Sequence, residues 1–144
     1  MVTLAKTGNS EIDEQHAVMQ HCLSDLASLL EGPCEPAALI GSLEALTSYA
    51  EWHFTFEERL LKRGAYPHLP EHVAEHRAIL KQLSSLRRHL GSGKREAVSL
   101  LSIVGQWIVD HVNHEDLRSA GYLGSNESDG VLNERTKPAL SLRH

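Results

Sequence analysis

The chain has 144 residues, 41% of them apolar and 23% charged, and a net charge of −5. That length suits one domain, with enough apolar residues to bury a core without disulfide staples. The acidic balance argues against a nucleic-acid partner and gives no signal for an anionic membrane surface, and no apolar run reaches the length of a bilayer span.

Residues 1–10 are polar and read as an N-terminal arm; their lack of an apolar h-region argues against a signal peptide. From residue 11 to about 31, Ile12, His16, Met19, Leu23, Leu26 and Leu30 recur at steps of four and three, the pattern of an amphipathic helix with a histidine in its inward stripe. Gly32 and Pro36 separate it from a second helix over 36–63. Cys22 and Cys34 flank this first loop without a metal-ligand spacing, so two free thiols and a cytoplasmic location are expected. The second stripe is Leu39, Leu43, Leu46, Ala50, His53, Glu57 and Leu60, after which Pro67 and Pro70 interrupt the helix.

The third stripe, over 71–90, is His72, His76, Ile79, Leu83, Leu86 and Leu90. A glycine-rich turn at 91–93 leads to a fourth helix over 94–115, with Ala97, Leu101, Val104, Ile108 and His111 on one face. Four helices of similar length joined by short turns predict an all-α, antiparallel up-down-up-down four-helix bundle over residues 11–123. Residues 124–144 read as a polar tail. In it Val131, Leu132, Leu140 and Leu142 are candidates to dock on the body, and the tail is a candidate contact for a protein partner.

In such a bundle the start of helix one, the end of two, the start of three and the end of four share one end. His16, His53, Glu57, His72, His76 and His111 therefore converge at one depth of the core. A single buried histidine is most often a satisfied core residue, and two at i, i+4 are often a surface coincidence. Five at matched depth on four seams point to metal, because neutral imidazole is the commonest metal ligand and unpaired buried polar groups are costly. Five exceed what one tetrahedral zinc needs, and imidazole with carboxylate suits iron. The seam of the fourth helix, continued, aims Glu115 at the same place.

The segments Ile12-Asp-Glu-Gln-His16, His53-Phe-Thr-Phe-Glu57-Glu58, His72-Val-Ala-Glu-His76 and Trp107-Ile-Val-Asp-His111-Val112 resemble, in order and spacing, the hemerythrin family and in particular the single-domain bacteriohemerythrins. The resemblance covers roughly residues 11–123. It implies two oxo- or hydroxo-bridged iron ions and O2 as the ligand. His72, His76 and His111 would saturate one iron. His16 and His53 would hold the other and leave it one open position, and Glu57 and a second carboxylate would bridge. For that second carboxylate the family pattern takes Asp116 in place of Glu115. An i, i+5 pair lies about 140° apart on a regular helix, so Asp116 reaches the site only if the helix widens to a π-bulge or ends there. His114 is expected outside the metal shell.

The chain departs from the family in lacking an N-terminal tryptophan, in carrying Ile108 where leucine is usual, and in the stretch from Leu117 to Tyr122. Phe54, Phe56, Leu60, Trp107 and Ile108 are expected to wall the O2 pocket. Nitrogen-rich ligation and an apolar wall favour reversible O2 binding, as carrier, store or sensor. The alternatives are an enzyme acting with the same irons on peroxide, nitric oxide or ferrous iron, and a structural metal bundle.

Overall fold

A computed structural model describes residues 4–90 and 94–124. Four helices carry the fold: α1 Ser10–Glu31, α2 Pro36–Arg63, α3 Leu69–His89 and α4 Lys94–Asp110. The chain continues from α4 without a break into a π-helical turn, His111–Asp116, then one α-helical turn, Leu117–Ser119 (α5), and a 3-10 turn, Ala120–Tyr122. No strand occurs among the described residues. Each helix packs on the next in sequence, and α4 packs back on α1, which closes an antiparallel four-helix bundle. No helix among the described residues is long and apolar enough to cross a membrane. The glycine-rich turn at 91–93 and the tail from residue 125, with the docking candidates Val131, Leu132, Leu140 and Leu142 and the candidate partner contact, lie outside the described residues.

Helix ends follow local chemistry. The Asn9 side chain accepts a 3.1 Å hydrogen bond from the Ile12 N–H and caps α1. Pro36 opens α2, where a missing N–H has no helical partner to lose. The same reason moves the start of α3 from the expected residue 71 to Leu69, because Pro70 fits inside the first turn. The N-terminal arm is tied down at the same end of the bundle. Thr7 donates from its backbone N–H and its hydroxyl to Asp13 Oδ1, both at 2.8 Å, and the Ala5 N–H donates to Asn113 Oδ1 at 2.8 Å.

The turn from α2 to α3 is held closely. Ala65 sits in the left-handed region at φ 57°. Beside it, the Gly64 backbone lies against the Tyr122 carbonyl so tightly that a Cβ would stand 2.0 Å from its oxygen.

The core has two apolar parts. The larger contains Met19, Leu26, Leu43, Leu46, Phe54, Ile79, Leu83, Val104 and Ile108; the smaller contains Ile12, Phe56, Leu60, Leu61, Tyr66 and Leu123. Along α1 the order is Ile12, His16, Met19, and along α3 it is Leu69, His72, His76, Ile79. Along α4 and the turns that follow it is Ile108, His111, Asp116, Leu123. On each of these lines the polar residues fall between the smaller and the larger apolar part. The polar cluster is therefore a layer sealed above and below by hydrocarbon.

Candidate metal centre

Seven buried side chains meet in that layer. His16, His53, Glu57, His72, His76, His111 and Asp116 are each at most 2% exposed. The helical stripes of α1, α2 and α3 deliver His16, the His53/Glu57 pair and the His72/His76 pair, each pair one turn apart on one face. Asp116 arrives differently. In a regular helix it would point away from His111, but the π-turn adds a residue per turn and brings the i+5 position under the i position. His111 Nε2 is 3.0 Å from Asp116 Oδ1. Glu115 is left on the rim, 3.3 Å from Arg118, and His114 is exposed.

The donor atoms fall into two groups. Glu57, His72, His76, His111 and Asp116 can bring one ligand atom each within 4.8 Å of one another, and so can His16, His53, Glu57 and Asp116. Both carboxylates belong to both groups. His16 Nε2 lies 3.0 Å from Asp116 Oδ2 and 3.8 Å from Glu57 Oε2; His72 Nε2 lies 2.6 Å from Glu57 Oε1 and 3.1 Å from Asp116 Oδ1.

Three rings are held from outside through Nδ1. His76 Nδ1 donates to Glu58 Oε2 at 2.7 Å, His111 Nδ1 to Glu75 Oε1 at 2.8 Å, and His53 Nδ1 to Gln15 Oε1 at 2.7 Å. A carboxylate can only accept, so His76 and His111 carry their proton on Nδ1, and the neutral rings present bare lone pairs at Nε2. Those two Nε2 atoms face each other at 2.9 Å. Two lone pairs at that separation repel unless a cation, a proton or a metal ion, is shared between them. In the same layer His16 Nε2, His53 Nε2, Glu57 Oε2 and both Asp116 oxygens make, among the described residues, no hydrogen bond of proper geometry, close as some of them lie to one another. Buried acceptors converging in this way match the requirements of cations with nitrogen and oxygen ligands.

Electrostatics agree. Burial alone would push the imidazoles down, but the Asp116 and Glu57 carboxylates outweigh it and raise His16 and His72 to about 9. His111 is raised well above its ordinary value against the same burial, chiefly by Asp116. Burial dominates at His53 and lowers it to about 3. Burial disfavours charge on Glu57, yet His111, His16, His72 and His76 hold it well below the carboxylate range; Asp116 is lowered against burial and Glu57 by its contacts to His111 and His16. The layer is thus built to hold positive charge between two carboxylates.

The residues expected to wall an O2 pocket take three positions. Phe54 and Ile108 belong to the larger apolar part, and Phe54 stacks on the His76 ring at 4.0 Å. Phe56 and Leu60 belong to the smaller part on the far side of the polar layer. Trp107 is 41% exposed. It precedes Ile108 by one residue, about 100° round the helix, and the inward seam belongs to Ile108. The five are thus divided between the two apolar parts and the outer flank of α4. The sequence reading also missed Gln15, Glu58 and Glu75. Each directly neighbours a stripe residue, so the available signal was a polar residue on the flank of the seam rather than on it.

Fold and site together define a four-helix bundle with a buried, nitrogen-rich cluster of metal-binding composition. Residues 7–120 match the model of the hemerythrin HHE cation-binding domain, and the chain belongs to the hemerythrin family. It is similar to the bacteriohemerythrin of Pseudomonas aeruginosa (strain UCBPP-PA14), 28% identical over 117 residues that cover 81% of this chain and 74% of that protein. It is also similar to the bacteriohemerythrin of Stenotrophomonas maltophilia (25%, covering 76% of this chain and 71% of the relative). Myohemerythrin of Riftia pachyptila is 25% identical, with 78% and 82% covered. No solved structure gave a significant match.

Proposed function

We propose that the chain is a non-haem di-iron protein that binds O2 reversibly, as a carrier, store or sensor. The observation that carries this is the division of the donor set into groups of five and four residues that share both carboxylates. His72, His76 and His111 would hold one iron, His16 and His53 the other, and Glu57 and Asp116 would span both. The second position has one protein ligand fewer, which leaves room for one small external ligand. When bound, the two ferrous ions supply two electrons to O2.

The chain's own residues set the conditions. Glu58 and Glu75 fix the tautomers of His76 and His111, and Gln15 orients His53, so that Nε2 faces inward without a reorganisation step. The apolar parts on either side keep bulk water from the layer. Five neutral imidazoles and two carboxylates leave more positive charge on two irons than a carboxylate-rich set does. Di-iron sites of bundles with four Glu and two His are the contrast. High positive charge disfavours the high-valent states that oxidative catalysis needs, which supports binding over turnover.

The test is an absorption spectrum of anaerobically iron-loaded protein, repeated in air and again after O2 removal. A visible ligand-to-metal band that comes with air and goes on deoxygenation is the expected result. An irreversible change in the first exposure, or steady consumption of peroxide or nitric oxide, would shift the assignment to an enzyme. A metal that is redox-silent in air would leave a structural bundle.

A further inference from the structure

The three rings with outer partners are not supported alike. His76 and His111 lean on carboxylates, Glu58 and Glu75, whereas His53 leans on the neutral amide of Gln15. Nδ1 of His16 and Nδ1 of His72 have no hydrogen-bond partner among the described residues. Every anionic support therefore stands behind the three-histidine group and none behind the two-histidine group. A carboxylate accepting from Nδ1 draws the proton outward and raises the electron density at Nε2, while an amide oxygen orients the ring with less donation.

We infer that Glu58 and Glu75 are positioning residues that make the two metal positions unequal, so that the position held by His72, His76 and His111 takes its metal first and more tightly. This rests on the two-metal reading above. It adds something ligand counting does not: the inequality should follow the charge of two residues that touch no metal. Glu58 is the stronger of the two, because its side chain is 29% exposed against 43% for Glu75, and water screens an exposed charge. The arrangement suits a protein with one saturated and one exchangeable position, since the better-held metal anchors the shared carboxylates while the other meets the external ligand.

The experiment is an anaerobic calorimetric titration of the full chain with ferrous iron, with bound iron counted by metal analysis. The variants are E58Q, E75Q, E58A and Q15E, each first checked for an unchanged metal-free helical spectrum; E75Q carries the test independently if E58Q disturbs folding. Glutamine keeps an acceptor of the same shape and removes only the charge. The wild type should bind two irons in two resolved steps. E58Q should weaken the tighter step by about 10- to 100-fold, E75Q by less, and Q15E should narrow the gap by strengthening the weaker step. Two equal steps in the wild type, or E58Q and E75Q titrating like the wild type while E58A loses affinity, would overturn the inference: the acceptors would then merely hold the rings. Fewer than two irons per wild-type chain would instead sink the two-metal reading, a distinguishable failure.

Discussion

His111 and Asp116 are five residues apart in sequence and 3.0 Å apart in space, at Nε2 and Oδ1. Only the π-turn between them permits this, because in an α-helix the i+4 residue, Glu115, would take that place. The register makes a sharp prediction. Asp116→Ala should abolish binding of at least one iron, since Asp116 belongs to both donor groups. Glu115→Ala removes only a rim pair with Arg118 and should cost less than about 1 kcal/mol, with iron content unchanged. Iron analysis of the two purified variants decides it, and loss of iron from Glu115→Ala alone would reverse the assignment.

The turn that follows α2 gives a second prediction, on stability. A Cβ at Gly64 would stand 2.0 Å from the Tyr122 carbonyl oxygen, which is backbone and cannot rotate aside. Gly64→Ala must therefore push the 3-10 turn away from the end of α2, at a cost of about 1–3 kcal/mol. Thermal unfolding should show a clear fall in Tm. The variant should also loosen Leu123 from the smaller apolar part. An unchanged Tm would mean that the 3-10 turn yields without cost.

These two sites mark what could and could not be read from sequence. The bundle and the convergence of His16, His53, Glu57, His72, His76 and His111 were legible because a helical stripe has a fixed period, and because up-down topology fixes which helix ends share a level. Asp116 was not decidable from period alone. Its position depends on a change of helix type that the regular repeat argues against, and the family resemblance, not the spacing, favoured it. Gln15, Glu58 and Glu75 stand inside the quoted segments, but their role was hidden for another reason. They lie on the flanks of their stripes, where a polar residue is also what an ordinary solvated helix face would carry. Trp107 stands 41% exposed because the angle around α4 gives the inward seam to Ile108.

Protonation yields a third prediction, with opposite signs on either side of neutrality. In the metal-free chain His16 and His72 are raised to about 9 from an ordinary 6.5. The folded state then binds protons that the unfolded state has released. That stabilisation is complete below about pH 6.5 and is lost as pH rises through 9, by about 1.4 kcal/mol per pH unit for each proton. His53, lowered to about 3, acts in reverse, so stability falls as pH drops from 6.5 toward 3. Glu57 and Asp116, both lowered, add to the loss at the acid end. The metal-free chain should be most stable near pH 6.5. In the proposed site iron would compete with the protons on His16 and His72, so its apparent affinity should rise between pH 6.5 and 9. Melting curves of metal-free and iron-loaded protein across this range are the measurement; iron retained in full at strongly acidic pH would contradict the site.

The division of the expected pocket wall supplies the last prediction. Phe54 is 2% exposed and stacks on His76 at 4.0 Å with the planes 10° apart, so it both fills the larger apolar part and fixes the face of a ring in the polar layer. Phe54→Ala removes a buried aromatic ring and should cost about 3–5 kcal/mol. On the di-iron, O2-binding reading it should also let His76 turn, which would alter the visible band of the O2 adduct and speed irreversible oxidation by admitting water. Trp107, 41% exposed on the outer flank of α4, makes the control. Trp107→Ala should change stability far less and leave the band in place. Chemical unfolding and spectra of the two variants separate the cases. An altered band in Trp107→Ala with an unaltered one in Phe54→Ala would mean that the external ligand approaches from the α4 flank and not through the larger apolar part.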